Sequence, residues 1–168
     1  MRQSVYPHND ILNAAYYHLD VIRDKVENNV EDAISLDCFS CLILSAASIE
    51  ALLNFVGHKK IKKWKERAPA PKKMNIILKH AGLEYKEANE PLVTLIRLRD
   101  IRNAAMHATP LETMNTDNVA LDVEWAAFLT PDYCEHAFSA VKTFQREVFE
   151  GSGIEIGESL SSAIRAGS

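Results

Sequence analysis

The chain has 168 residues, of which 47% are apolar and 25% charged, with a formal net charge of −4 at neutral pH. That length fits one domain with a real core, and the composition is ordinary for a soluble globular protein. Three cysteines, an odd number, together with the lack of a charged start leading into an apolar run and a small-residue cleavage site, argue against export and for a reducing cytoplasm.

In chain order, Asn9 is the expected N-cap of a first helix, with Ile11, Ala14, Ala15, His18, Val21, Ile22 and Val26 at helical spacing and Asn28-Asn29 as its end. A second helix is expected from about Leu36 to Ile61. It is apolar nearly all round through Leu53, which marks it as central. Within it, Cys38 to Val56 comes nearest to a membrane span. Glu50, Asn54 and several serines and cysteines interrupt that stretch and favour a buried helix, so no membrane is expected.

Pro69 and Pro71 should break the chain, with a short third helix over Lys72 to His80 stopped by Gly82. Asn89-Glu90-Pro91 should open a fourth helix that ends near Thr109, because the residue before Pro110 disfavours the α region. Residues 111–129 are the least legible: Asn115 to Asn118 reads as a turn, and Val119 to Trp125 fits a short strand or a half-buried helix. Thr130-Pro131-Asp132 starts a fifth helix through Phe149 or Glu150, with Gly151 and Gly153 as stops. The expectation is therefore an all-α, up-and-down bundle of four to five helices over residues 1–150, followed by a tail over 151–168.

Charge is unevenly spread. From Lys59 to Lys79 lie nine of the 19 basic residues, among them Lys59, Lys60, Lys62 and Lys63, opposed only by Glu66. Such a block could track an RNA backbone, or simply solvate a helix end and loop. Trp64 within it could stack on a base or anchor the helix end in the core.

The fourth helix carries Arg99, Asp100, Arg102, Asn103 and His107 in an otherwise apolar setting. Arg102-Asn103, three residues, then His107 resembles the signature of the HEPN superfamily, all-helical domains that typically dimerise. The resemblance implies metal-independent cleavage of RNA to a 2′,3′-cyclic phosphate. Arg102 would bind the scissile phosphate, His107 would carry the proton, and Asn103 would orient one or the other. Histidine suits proton transfer near neutral pH, and the planar guanidinium binds phosphate oxygens in pairs. Around an ideal helix Arg102 and His107 point about 140° apart, so one helix does not aim both at one phosphate. The resemblance supplies the answer, a two-fold dimer that builds one composite cleft. The apolar residues Leu92, Leu95, Ile96, Leu98, Ile101 and Met106, spread around more than one face of this helix, agree with such a pairing.

Glu50 and Asn54 lie one turn apart in the most apolar helix, where an unpaired carboxylate is expensive. Arg99 or Arg102 is the expected partner, so Glu50, Arg99 and Asn54 are read as supporting residues. Cys38 and Cys41 form a Cys-x-x-Cys inside a helical pattern, with Cys134 and His136 the only tempting further ligands. They read as small core residues, and neither metal nor cofactor is expected. Three functions compete: a homodimeric endoribonuclease in a toxin–antitoxin or antiviral system, accompanied by an antitoxin or nucleotidyltransferase; a non-catalytic module of the same kind binding RNA or a nucleotide; and a plain helical adaptor.

Overall fold

The helix Ile34–Lys60 (α2) is the axis of the computed structural model, which describes residues 7–107 and 124–159. The other helices are His8–Glu27 (α1), Ala70–Ala81 (α3), Leu92–Met106 (α4) and Pro131–Ser152 (α5), with 3₁₀ turns at Glu124–Phe128 and Ile156–Ser159. No strand occurs among the described residues, and the chain is an all-α bundle. All four other helices pack on α2, which is why its sequence shows no polar face. By length and composition alone α2 could cross a membrane. Here its Leu42, Leu53 and Val56 are buried among Leu19, Leu98 and Phe144 of the neighbouring helices.

Local chemistry explains where the helices begin and end, and several ends differ from expectation. His8 is buried and stacks on Phe55, with ring centroids 4.4 Å apart, so α1 starts at His8 and Asn9 lies inside its first turn rather than capping it. Pro71 sits in the first turn of α3 and Pro69 is its N-cap, so the second proline opens a helix instead of breaking one. Gly82 closes α3 in the left-handed conformation with φ of 68°, as its position predicts. Thr130 caps α5 by accepting the N–H of Tyr133 at 3.3 Å.

Gly151 is not a stop. It lies within α5, which continues to Ser152 and ends at Gly153 with φ of 59°. Its missing side chain lets α3 come close, since a Cβ there would lie 2.2 Å from the carbonyl oxygen of Ala81. Packing continues past residue 150, because Ile154 is buried in the core. Helix α4 ends at Met106 with His107 as its C-cap; Thr109, Pro110 and the turn at Asn115 lie outside the described residues. Of the poorly legible stretch, Trp125 rests against Phe39 at 5.3 Å and Arg97 lies 5.0 Å over Phe128.

Candidate functional site at the end of the fourth helix

Every third residue of α4 from Leu92 through Leu95 and Leu98 to Ile101 is buried, which turns its inner side onto α2 and α5. The apolar residues expected to mark a pairing surface are therefore mostly core. Of those six, only Met106 is exposed, at 56%, and Ile96 is half-buried. Where the inner stripe reaches the C-terminal half of the helix it becomes polar, and Arg102 meets Glu50 of α2, Nη2 to Oε2 at 3.3 Å.

Arg102 is thus the partner that Glu50 was expected to have. Arg99 is not: its guanidinium binds the neighbouring Asp100 at 2.9 Å, an exposed pair worth little by itself. Glu50 has a second partner that sequence reasoning missed. The ammonium of Lys73 on α3 is 0% exposed and donates to Glu50 Oε1 at 2.6 Å, to Asn54 Oδ1 at 3.3 Å and to the Glu66 carbonyl at 3.1 Å. Its three donors are thereby satisfied, the condition under which a buried charge is tolerated. The ammonium beside Glu50 holds that carboxyl below its ordinary range against the opposing effect of burial, and Arg102 adds to this.

By sequence position Lys73 belongs to the basic block of residues 59–79. The signal that would have placed it was periodicity. Lys73, Ile77 and Ala81 are four apart and all buried, so the lysine belongs to the inner stripe of α3. Asn54 carries the network further by accepting the indole N–H of Trp64 at 3.3 Å. Trp64 packs on the core over Gly57, whose missing Cβ makes room for the indole ring, and so anchors the chain after α2. A connected set of polar contacts therefore runs from Trp64 through Asn54, Lys73 and Glu50 to Arg102.

Glu50, Arg99, Asp100, Arg102 and Asn103 line one open depression of about 520 Å³, together with Ala68 and Pro69 before α3 and Ala70 and Pro71 in its first turn. The Nε of Arg102 is buried there without an acceptor. Asn103 is exposed at the rim, whereas His107 does not line the depression. It is exposed one turn further on, with its backbone N–H on the Asn103 carbonyl at 3.0 Å. Ala68 and Pro69 also border a second hollow formed with Trp64, Lys65, Arg67 and Lys72, so the basic segment adjoins the arginines.

Within that segment the four candidate lysines differ. Lys62 and Lys63 are exposed. Lys60 donates to the Gly153 carbonyl at 2.9 Å, and Lys59 lies 5.7 Å over the Phe55 ring, so both also serve the bundle.

Two other clusters stand apart from this site. Cys38, Cys41 and Cys134 are buried free thiols in the core, with the Cys134 thiol pointing to the Cys38 carbonyl at 3.7 Å. Among the described residues no group of three or more His, Cys, Asp or Glu is arranged to hold a metal ion. At the other end of α4, His136 Nε2 lies 3.0 Å from the Thr94 hydroxyl and 3.1 Å from Glu90, which ties the start of that helix to α5. Comparison with protein-family models, curated proteins and solved structures gives no match.

Proposed function

We propose that the chain is a homodimeric, HEPN-like, metal-independent endoribonuclease that cleaves single-stranded RNA in the cytoplasm, in a toxin–antitoxin or antiviral setting. One observation carries the reading: Arg99, Arg102 and Asn103 share an open depression beside a basic segment, and His107 is exposed at the end of the same helix. Arg102 binds the scissile phosphate with the donors that Glu50 leaves available. A base takes the ribose 2′ proton, the 2′ oxygen attacks phosphorus, and the 5′ oxygen leaves with a proton from an acid, giving a 2′,3′-cyclic phosphate. His107 carries the proton, and Asn103 orients the phosphate or the imidazole. Two α4 ends paired about a two-fold axis bring the separated groups into one cleft.

A second reading, an RNA- or nucleotide-binding module without catalysis, is favoured by the engagement of Arg102 with Glu50 and by the place of His107 outside the depression. RNA digestion in excess chelator separates the two. His107→Ala should lose cleavage by about 100-fold or more, the scale of removing a general acid–base residue, at an unchanged melting temperature because the side chain is exposed. Arg102→Lys should recover little, since a point charge does not reproduce the paired contact. Cleavage at wild-type rate in both variants would overturn the assignment. Wild-type protein that binds RNA without cutting it would establish the binding module instead.

A further inference from the structure

Helices α3 and α4 both pack on α2 but leave part of it uncovered between them, and the gap is a cleft of about 100 Å³. Its floor is Ala46 and Leu53 of α2, and its walls are Pro71 and Met74 of α3 and Leu95 and Ile96 of α4. Glu50, Arg99 and Arg102 stand where it meets the open depression, which Asn75 and the exposed Glu87, also on its lining, do not border. Glu50, Arg99, Arg102, Ala70 and Pro71 line both this cleft and the open depression, so the two form one continuous groove.

A largely aliphatic slot of this kind suits a flat aromatic ring, with Met74 able to make sulfur contacts to its edge. The guanidiniums of Arg99 and Arg102 on its lining suit an anionic group attached to that ring. Away from the depression, the Glu87 carboxylate accepts from an exocyclic amine, while the Asn75 carboxamide donates to the bare ring nitrogen of adenine or cytosine or to the guanine carbonyl. We propose that this cleft is a nucleobase subsite. It holds the base of the nucleotide whose phosphate meets Arg99 and Arg102, and it prefers amino-bearing bases to uracil. Uracil offers Glu87 one N–H flanked by two carbonyl oxygens, which the carboxylate repels. The inference rests on reading Arg102 as the phosphate-binding residue.

Titration calorimetry with AMP, CMP, GMP, UMP and inorganic phosphate tests it. The amino-bearing nucleotides should bind at least about tenfold more tightly than UMP, the yield of one well-made hydrogen bond. Phosphate alone should be weakest. Glu87→Ala, a change at an exposed side chain, should bring AMP, CMP and GMP to within about threefold of UMP. Ala70→Leu, which narrows the slot, should weaken all four nucleotides toward the affinity of phosphate.

Short oligoadenylate and oligouridylate used as competitors then separate a free nucleotide from a unit of a strand. If oligoadenylate displaces AMP more strongly than oligouridylate does, the subsite serves RNA; if neither displaces it, the subsite serves a free nucleotide. Equal affinity for UMP and AMP, or a Glu87→Ala protein with unchanged preference, overturns the subsite. Nucleotide binding without any RNA cleavage would leave the subsite standing and remove the nuclease reading. Cleavage without nucleotide preference would do the reverse.

Discussion

A lysine with no exposed surface is the residue on which the candidate site depends. Removing one partner of a buried ion pair costs far more than the pair contributes, because the other charge is left uncompensated. Glu50→Ala leaves the Lys73 ammonium with only Asn54 and the Glu66 carbonyl. It should cost about 3 kcal/mol in urea denaturation, the lower end for such pairs because Glu50 keeps access to water. Lys73→Met should recover much of that loss when combined with it, and a coupling below about 0.5 kcal/mol would show the pair to be energetically independent. His8 makes a second residue-scale prediction. Its ring is buried against Phe55 with no hydrogen-bond partner on either nitrogen, and burial lowers its pKa from 6.5 to about 4 while Asp10 opposes. Between those values the unfolded chain holds a proton that the folded one does not, so stability should fall as pH drops from 6.5 toward 4. The slope can reach about 1.4 kcal/mol per pH unit. The carboxyls of Asp37, Glu50 and Glu135 are held below their ordinary range by basic partners, so what they contribute is present above their unfolded values and lost only at lower pH. His8→Phe should therefore flatten the stability profile from pH 6.5 to 4.5, and an unchanged slope in denaturant titrations would contradict this account.

At the scale of elements, close packing predicts which glycines resist substitution. Gly151→Ala gains helix propensity of about 1 kcal/mol yet drives a Cβ into the Ala81 carbonyl, a backbone atom that cannot rotate away. A net loss of about 1–3 kcal/mol is expected from overpacking between α3 and α5, and a rise in melting temperature would refute it. What was legible in the sequence follows the same division between local and tertiary causes. Thr130 with Pro131, Gly82 and the all-round apolar α2 act through their own backbone or composition, and each stands where it was expected. The pairing of Glu50 with Arg102 was legible because an acid in an apolar helix demands a base. Gly151 was misread because a glycine that admits a neighbouring helix looks, in one dimension, like one that ends its own. Lys73 was hidden for a related reason. Its charge joined it to the exposed block, and only the register of α3 against α2 shows that its ammonium points inward. The apolar residues of α4 suggested a pairing face, but packing against α2 and α5 took most of them into the core.

For the whole molecule, the decisive matter is whether one bundle is the working unit. Its basic residues gather between the end of α2 and α3, beside Arg99 and Arg102, while His107 faces outward at the far edge of Asn103. Five residues along a helix separate Arg102 from His107 by about 140° of rotation and about 7.5 Å of rise. A single chain therefore presents the groups proposed to bind phosphate and to carry the proton on different sides, and the proposed nuclease needs a second copy to close the site. The exposed end of α4, Asn103, Ala104, Met106 and His107, is the surface through which that copy would reach it. Met106 is the large apolar side chain there, and its burial in a pair would remove it from water at no cost to the monomer's own packing. Light scattering at micromolar concentration should accordingly give twice the mass of one chain. Met106→Glu should place like charges across the two-fold axis, yield the monomer and abolish RNA cleavage, while the melting temperature of the monomeric fold stays near that of wild type. A wild-type monomer that cleaves RNA, or a Met106→Glu dimer that still does, would mean that Arg102 and His107 do not act across such an axis.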